Sequence, residues 1–159
     1  MGGAMFEIVS VVRVMHRDGR IQECLPSELG VAYRRCEALK GAIGLSAVLR
    51  GQPGNPEEIE KRLNEYSRKR WSSQPAAPSA GCMFKNPASI PAGRLIDELG
   101  LKGTRIGGAM VSLEHGNFLV NDGTATARNV LDLIELVRGR ARAERGIELE
   151  TEVEIVGEN

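Results

Sequence analysis

Between residues 74 and 87 the chain reads Q-P-A-A-P-S-A-G-C-M-F-K-N-P, with neither the 3.6-residue period of a helix nor the alternation of a strand. Any fold for this chain must therefore be built on either side of that run. Burial of a core does not explain it. Glycine lets the backbone come close to a ligand, and irregular segments of this kind carry function on a rigid scaffold. The residues in it that bear chemistry are Cys82, Lys85 and Asn86.

Ordinary elements are expected around the run. Residues 6–15 are rich in β-branched side chains and predict a strand. Asp18-Gly19 is a tight-turn signal, with 20–25 as the hairpin partner. Residues 43–49 predict another strand, and 51–54 a loop. Asn55-Pro56-Glu57-Glu58 opens a helix running to about Trp71: Asn55 can cap and Pro56 suits the first turn. Its apolar positions, Ile59, Leu63 and Tyr66, are sparse, so the helix is expected at the surface. Residues 92–99 predict a short helix closed by Gly100. Residues 105–112 and 117–121 predict two strands around a turn at His115-Gly116. Thr124 is expected to cap the longest helix, which buries Val130, Ile134, Val137 and Ala141 and ends at Gly146. Residues 147–156 alternate apolar residues with glutamate, as a half-buried strand does. The mixture lacks a βαβ rhythm, so the fold class is α+β.

Composition narrows the function classes. The 159 residues suffice for one ordinary domain, or a small one with part of another. Formal net charge is zero, which implies no nucleic-acid partner and no anionic membrane surface. No apolar run approaches a membrane span, and the N-terminus lacks the pattern of a secretory signal. The three cysteines, Cys24, Cys36 and Cys82, are scattered and odd in number. They point away from a disulfide framework and toward a reducing cytoplasm. Two histidines and no tight Cys/His/Asp cluster point away from a transition-metal site. Neither Gly2-Gly3 nor Gly107-Gly108 forms a phosphate-loop motif.

Most candidate residues have a bland reading and a sharp one. Cys82 is either a small buried hydrophobe or, beside Ser79-Ala80-Gly81 and Lys85-Asn86, a tuned acid or nucleophile. Glu148, Glu150, Glu152 and Glu154 share one face and repel one another. They form a solvated face, or at least one of them meets a cation or ligand. Arg34, in A-Y-R-R-C, becomes informative only where a carboxylate must be clamped. A thiol–imidazole pair of Cys82 with His115 has no evident third group to orient it. His16 precedes a turn and is expected to be solvated.

The motifs P-S-A-G-x-x-F-K-N-P at 78–87, A-G-R-L-I-x-x-x-G-L-K-G at 92–103 and R-I-G-G-A at 105–109 occur in order, followed by H-x-N-F-x-V-N at 115–121. Together with Tyr33-Arg34, the helix start at 53–59 and G-I-x-L-x-x-E-V at 146–153, they resemble one family along essentially the whole chain. That family is the flavin-dependent UDP-N-acetylenolpyruvoylglucosamine reductases of bacterial cell-wall synthesis.

The resemblance implies a substrate-binding C-terminal domain at 53–159, preceded by a remnant of the FAD-binding domain at 1–52. It implies reduction of UDP-N-acetylglucosamine enolpyruvate to UDP-N-acetylmuramate with FAD and NADPH, in the synthesis of peptidoglycan precursors. Carried over residue by residue, Cys82 stands where the family's serine protonates carbon. Arg34 and Glu152 stand where an arginine and a glutamate stabilise the enolate-like intermediate. Tyr33, Lys85 and Asn86 are expected at the UDP-sugar. Two departures matter: a cysteine replaces the serine, and the family's glycine-rich flavin-binding segments are expected ahead of M-G-G-A-M-F-E, so the chain reads as N-terminally truncated. Alternatives are a UDP-sugar-binding or inactive module without flavin, and a thiol enzyme built on Cys82 and His115. Strands left exposed by the remnant would favour self-association.

Overall fold

In the computed structural model, residues 3–157 are described. Gly2, the first of the Gly2-Gly3 pair, lies outside them. The chain forms two compact units, one ending at Asn64 and the other beginning at Glu65. The elements mix strands and helices without a parallel βαβ order, and the class is α+β.

The first unit is built on β1 (Val9–His16), β2 (Ile21–Cys24) and β5 (Ala42–Leu49), in the order β2-β1-β5 and antiparallel throughout. The turn at Asp18-Gly19 forms as expected. Gly19 has φ +83°, and the Asp18 carboxylate accepts the N–H of Arg20 at 3.0 Å. Val9, Val12, Val14, Cys24 and Leu29 make a small core. The edge strand β5 buries none of its residues and exposes Ile43, Leu45, Val48 and Leu49. Two short strands, β3 (Val31–Ala32) and β4 (Arg35–Cys36), form a hairpin whose two-residue turn is Tyr33-Arg34.

Helix α1 (Pro56–Trp71) follows, and Asn55 Oδ1 accepts the N–H of Glu57 at 2.9 Å at its start. It buries none of its residues, in keeping with its sparse apolar positions. The division between the two units falls within it.

The second unit holds a four-stranded antiparallel sheet in the order β6-β9-β8-β7, made of β6 (Ser79–Cys82), β7 (Arg105–Ile106), β8 (Ala109–Val111) and β9 (Phe118–Asn121). Helices α2 (Ala92–Glu98) and α3 (Ala127–Arg145) share its core, which includes Phe84, Leu95, Ile96, Val111, Leu133, Val137 and Leu149. Transfer of such side chains from water, at roughly 1.5–3 kcal/mol for each fully buried large one, is the main drive for this unit.

Four expectations need correction. The aperiodic run at 74–87 contains a strand, because β9 supplies pairing partners that no local period reveals. Residues 105–112 are not one strand: Gly107, at φ +54°, and Gly108 fold them into the β7–β8 hairpin. The cap of α3 is Thr126, not Thr124; Thr126 Oγ1 accepts the N–H of Asn129 at 3.2 Å. Thr124 instead donates its hydroxyl to Asp122. Residues 147–156 form no strand and make one isolated bridge, Thr151 to Phe84; Leu149 is the one residue of that stretch that is fully buried.

A methyl group at Gly108 would lie 2.4 Å from the backbone nitrogen of Ala125. Gly139, inside α3, has nothing within 4 Å. Gly108→Ala should therefore cost about 1–3 kcal/mol, and Gly139→Ala should gain about 0.5–1 kcal/mol. Urea unfolding checks both; equal effects would contradict the packing described.

Candidate functional site

The site is organised by a bulge. Between Ser79↔Val120 and Cys82↔Phe118 the β6–β9 register slips by one residue, and Gly81 takes φ +83° there. A bulge re-aims the side chain that follows it, and here that side chain is Cys82. Beyond Cys82 the strand gives way to a bend at Met83 and an isolated bridge at Phe84, and the chain is held between two supports. On one side, Asn117 O accepts the N–H of Met83 at 2.8 Å. The Asn117 carboxamide accepts the N–H of Phe84 at 3.0 Å and donates to its carbonyl at 2.8 Å. On the other side, Glu152 N–H donates to Met83 O at 2.8 Å, and Lys85 N–H to Glu150 O at 2.9 Å. Cys82, Lys85, Asn86 and Glu152 thus sit on adjoining segments of the second unit.

A cleft of about 360 Å³ opens beside them, lined by Cys82, Asn86, Arg94, Asp97, Lys102 and His115 among others. Its charges balance, Arg94 and Lys102 against Asp97 and Glu114. Lys102 donates to Asp97 at 2.8 Å, and Arg94 to Glu98 at 2.8 Å. The Asn86 side-chain oxygen accepts the N–H of Ala92 at 3.0 Å, so Asn86 also fastens the start of α2.

The opposite wall is the turn from 112 to 118. Ser112 is fully buried. Its hydroxyl donates to Glu114 at 2.6 Å and accepts the N–H groups of Glu114 at 3.1 Å and His115 at 3.3 Å. The Ser112 bond lowers the Glu114 pKa below the usual carboxylate range. His115 Nδ1 accepts the N–H of Asn117 at 3.1 Å, so the neutral ring carries its proton on Nε2. Phe118 meets the ring edge-on at 4.9 Å. A methyl group at Gly93 would lie 2.8 Å from Cε1 of that ring; only glycine fits. Burial, and then the charge of Lys102, lower the His115 pKa.

A larger groove, about 550 Å³, runs along Met83, Leu119, Val130, Ile134, Val153 and Ile155. It is mainly apolar. The smaller cleft is the polar one, and it is the one that holds Cys82 and Asn86.

The residues singled out in the sequence are distributed as follows. Cys82, half-buried, and Asn86, exposed, line the polar cleft. Lys85 pairs with the Glu150 carboxylate, and Glu148 is held by Arg142, so two of the four glutamates do meet cations. Glu152, half-buried, is outside the lining of the cleft. Tyr33 and Arg34 lie in the first unit, where the Arg34 guanidinium stands 5.4 Å from the centre of the Tyr33 ring. Arg34 has φ +54°, alone among the described non-glycine residues in that region. His115 shares the cleft with Cys82, but its Nδ1 is already occupied as an acceptor. Sequence reading missed Gly93, Lys102, Ser112 and Asn117. The adjacency of Asn117 to His115 in H-G-N-F was the available signal.

Fold and site together mark an α+β domain with a polar cleft built from conformationally fixed loops. The chain belongs to the UDP-N-acetylenolpyruvoylglucosamine reductase family: the family's C-terminal domain matches residues 74–156. The reductase of Syntrophomonas wolfei is 40% identical over 159 residues, spanning 99% of this chain and 53% of that protein. The reductase of Thermus thermophilus is 46% identical over 151 residues, spanning 95% and 55%. The crystal structure of the Thermus caldophilus reductase superposes with a TM-score of 0.84 at 45% identity, covering 96% of this chain and 54% of that one. The chain thus spans about half the length of the relatives it matches.

The depressed His115 pKa sets a pH dependence. From its ordinary value of 6.5 it is lowered in the fold. Below about 6.5 the unfolded chain therefore binds a proton that the folded chain does not. Stability should fall as pH drops through that region, and His115→Gln should flatten that part of the slope. Urea unfolding between pH 7.5 and 5.5 checks it; parallel slopes would contradict it.

Proposed function

We propose that residues 53–159 are the substrate-binding part of a reductase that converts UDP-N-acetylglucosamine enolpyruvate to UDP-N-acetylmuramate in peptidoglycan precursor synthesis. Residues 1–52 belong to its flavin-binding part, and the setting is the cytoplasm. The observation that carries this reading is that the polar cleft takes in both Cys82 and Asn86 from the family's motif. The family membership supports it.

Reduction of an enolpyruvyl double bond builds negative charge at the carbon next to a carboxylate. Groups that act on that charge act in the transition state. Cys82 delivers a proton to carbon; a thiol is a stronger acid than the serine it replaces. Arg34 as a cation, and Glu152 as a proton-bearing acid, stabilise the charged carboxylate oxygens. Tyr33, Lys85 and Asn86 hold the UDP-sugar.

FAD and NADPH are the cofactors this reading implies. The G-T-A-T run before α3 is not a phosphate site, because its N–H groups are taken by Asn121, Asp122 and Asn129 side chains. A second reading is a UDP-sugar-binding module without flavin. Titration with FAD tests the module: a stoichiometric yellow complex would rule it out.

Calorimetric titration of the 159-residue chain with UDP-N-acetylglucosamine enolpyruvate should show one site, weakened about tenfold by Asn86→Ala. No binding would contradict both readings. In a chimera carrying the flavin-binding region of the Thermus caldophilus reductase, Cys82→Ser should keep turnover and Cys82→Ala should lose it. Equal turnover of the alanine variant would remove Cys82 as proton donor.

The exposed apolar edge strand β5 further supports self-association through the first unit. Sedimentation should show association that rises with concentration and is abolished by Val48→Lys. A monomer at high concentration would refute it.

A further inference from the structure

We propose that Asn117 is a positioning residue of the polar cleft, its carboxamide fixing the backbone between Cys82 and Asn86 and so the directions of both side chains. The ligand arm of the test below rests on the reading of the cleft given under Proposed function.

Strand β9 begins at Phe118, opposite Cys82, where β6 ends. Past that point 83–86 has no further β9 residue in register. Asn117 takes over with its side chain. A carboxamide carries one acceptor and one N–H donor group in the arrangement of a peptide unit. Oδ1 accepts the N–H of Phe84 and Nδ2 donates to its carbonyl, so the side chain continues the ladder where the backbone turns away. The main chain of the same residue accepts from Met83 and donates to the His115 ring. One residue, 2% exposed, thereby ties the Cys82–Asn86 wall of the cleft to the His115 wall. Aliphatic residues fill the neighbouring positions Leu119 and Val120, so packing alone would favour one here too. A buried amide is retained against its desolvation cost only while both of its groups are satisfied.

The test uses the 159-residue chain and three variants. Asn117→Ala removes both bonds to Phe84. Asn117→Asp keeps the acceptor and sets an oxygen against the Phe84 carbonyl. Val137→Ala, in the core on α3, serves as a control for global stability. The readouts are the alkylation rate of Cys82 by iodoacetamide, resolved from Cys24 and Cys36 by peptide mass, and the affinity for UDP-N-acetylglucosamine enolpyruvate. Measurements are made in urea concentrations that match global stability. The Asn117 variants should speed alkylation of Cys82 about tenfold, the factor equivalent to about 1.4 kcal/mol of local opening. They should also weaken the ligand, while Val137→Ala leaves the rate within about twofold, an effect under 0.5 kcal/mol. Equal rates for the Asn117 variants and Val137→Ala at matched stability would overturn the proposal and leave Asn117 an ordinary core residue. Should Asn117→Ala not fold, Asn117→Asp decides by the same comparison. If the unaltered chain binds no ligand, the reading of the cleft fails, and the alkylation rates alone decide the role of Asn117.

Discussion

The second unit depends on how one irregular segment, 82–86, is held. It is bonded on one flank by Asn117 and on the other by Glu150 and Glu152. Met83 and Phe84 are thereby drawn fully into the core. Their neighbours Cys82, Lys85 and Asn86 are left half-buried or exposed. The division is not the alternation of a regular strand, since Met83 and Phe84 are consecutive and both buried. It comes from bonding on both flanks of the segment. The unit's stability and the orientation of its chemistry therefore share one set of hydrogen bonds.

The same economy recurs around the cleft. Ser112 is buried to hold Glu114 and the N–H of His115. Gly93 leaves the space that the His115 ring fills. Asn86 fastens α2 while lining the cleft. Each is a polar or small residue whose bonding or size shapes the fold around the cleft. A site assembled from such residues is rigid before a ligand arrives, which lowers the entropy cost of binding.

The sequence showed most where the signal was local. Asn55-Pro56 marked the start of α1, Asp18-Gly19 the β1–β2 turn, and Gly146 the end of α3, where it takes φ +63°. It misled where pairing was long-range. The run at 105–112 looked continuous because its aliphatic residues mask the Gly107-Gly108 reversal. Alternation at 147–156 suggested a strand, but one isolated bridge, at Thr151, is all the sheet character it has. Thr124 and Thr126 offered the same capping chemistry two residues apart, and side-chain competition from Asp122 decided between them. In the site, the thiol and amide of the 78–87 motif were legible as chemistry. Lys102, Asp97 and Gly93 were not, because only the fold brings them to Cys82. Asn117 was hidden because its role lies in the backbone of a residue 33 positions away.

The central claim is that the polar cleft, not the larger apolar groove, receives a sugar nucleotide. The direct measurement is a map of backbone amide shifts of the 159-residue chain as UDP-N-acetylglucosamine enolpyruvate is added. The account predicts saturable shifts centred on Cys82, Asn86, Gly93 and His115, with Val130, Ile134 and Ile155 unmoved. Shifts centred on those three groove residues, or none at saturating ligand, would contradict it.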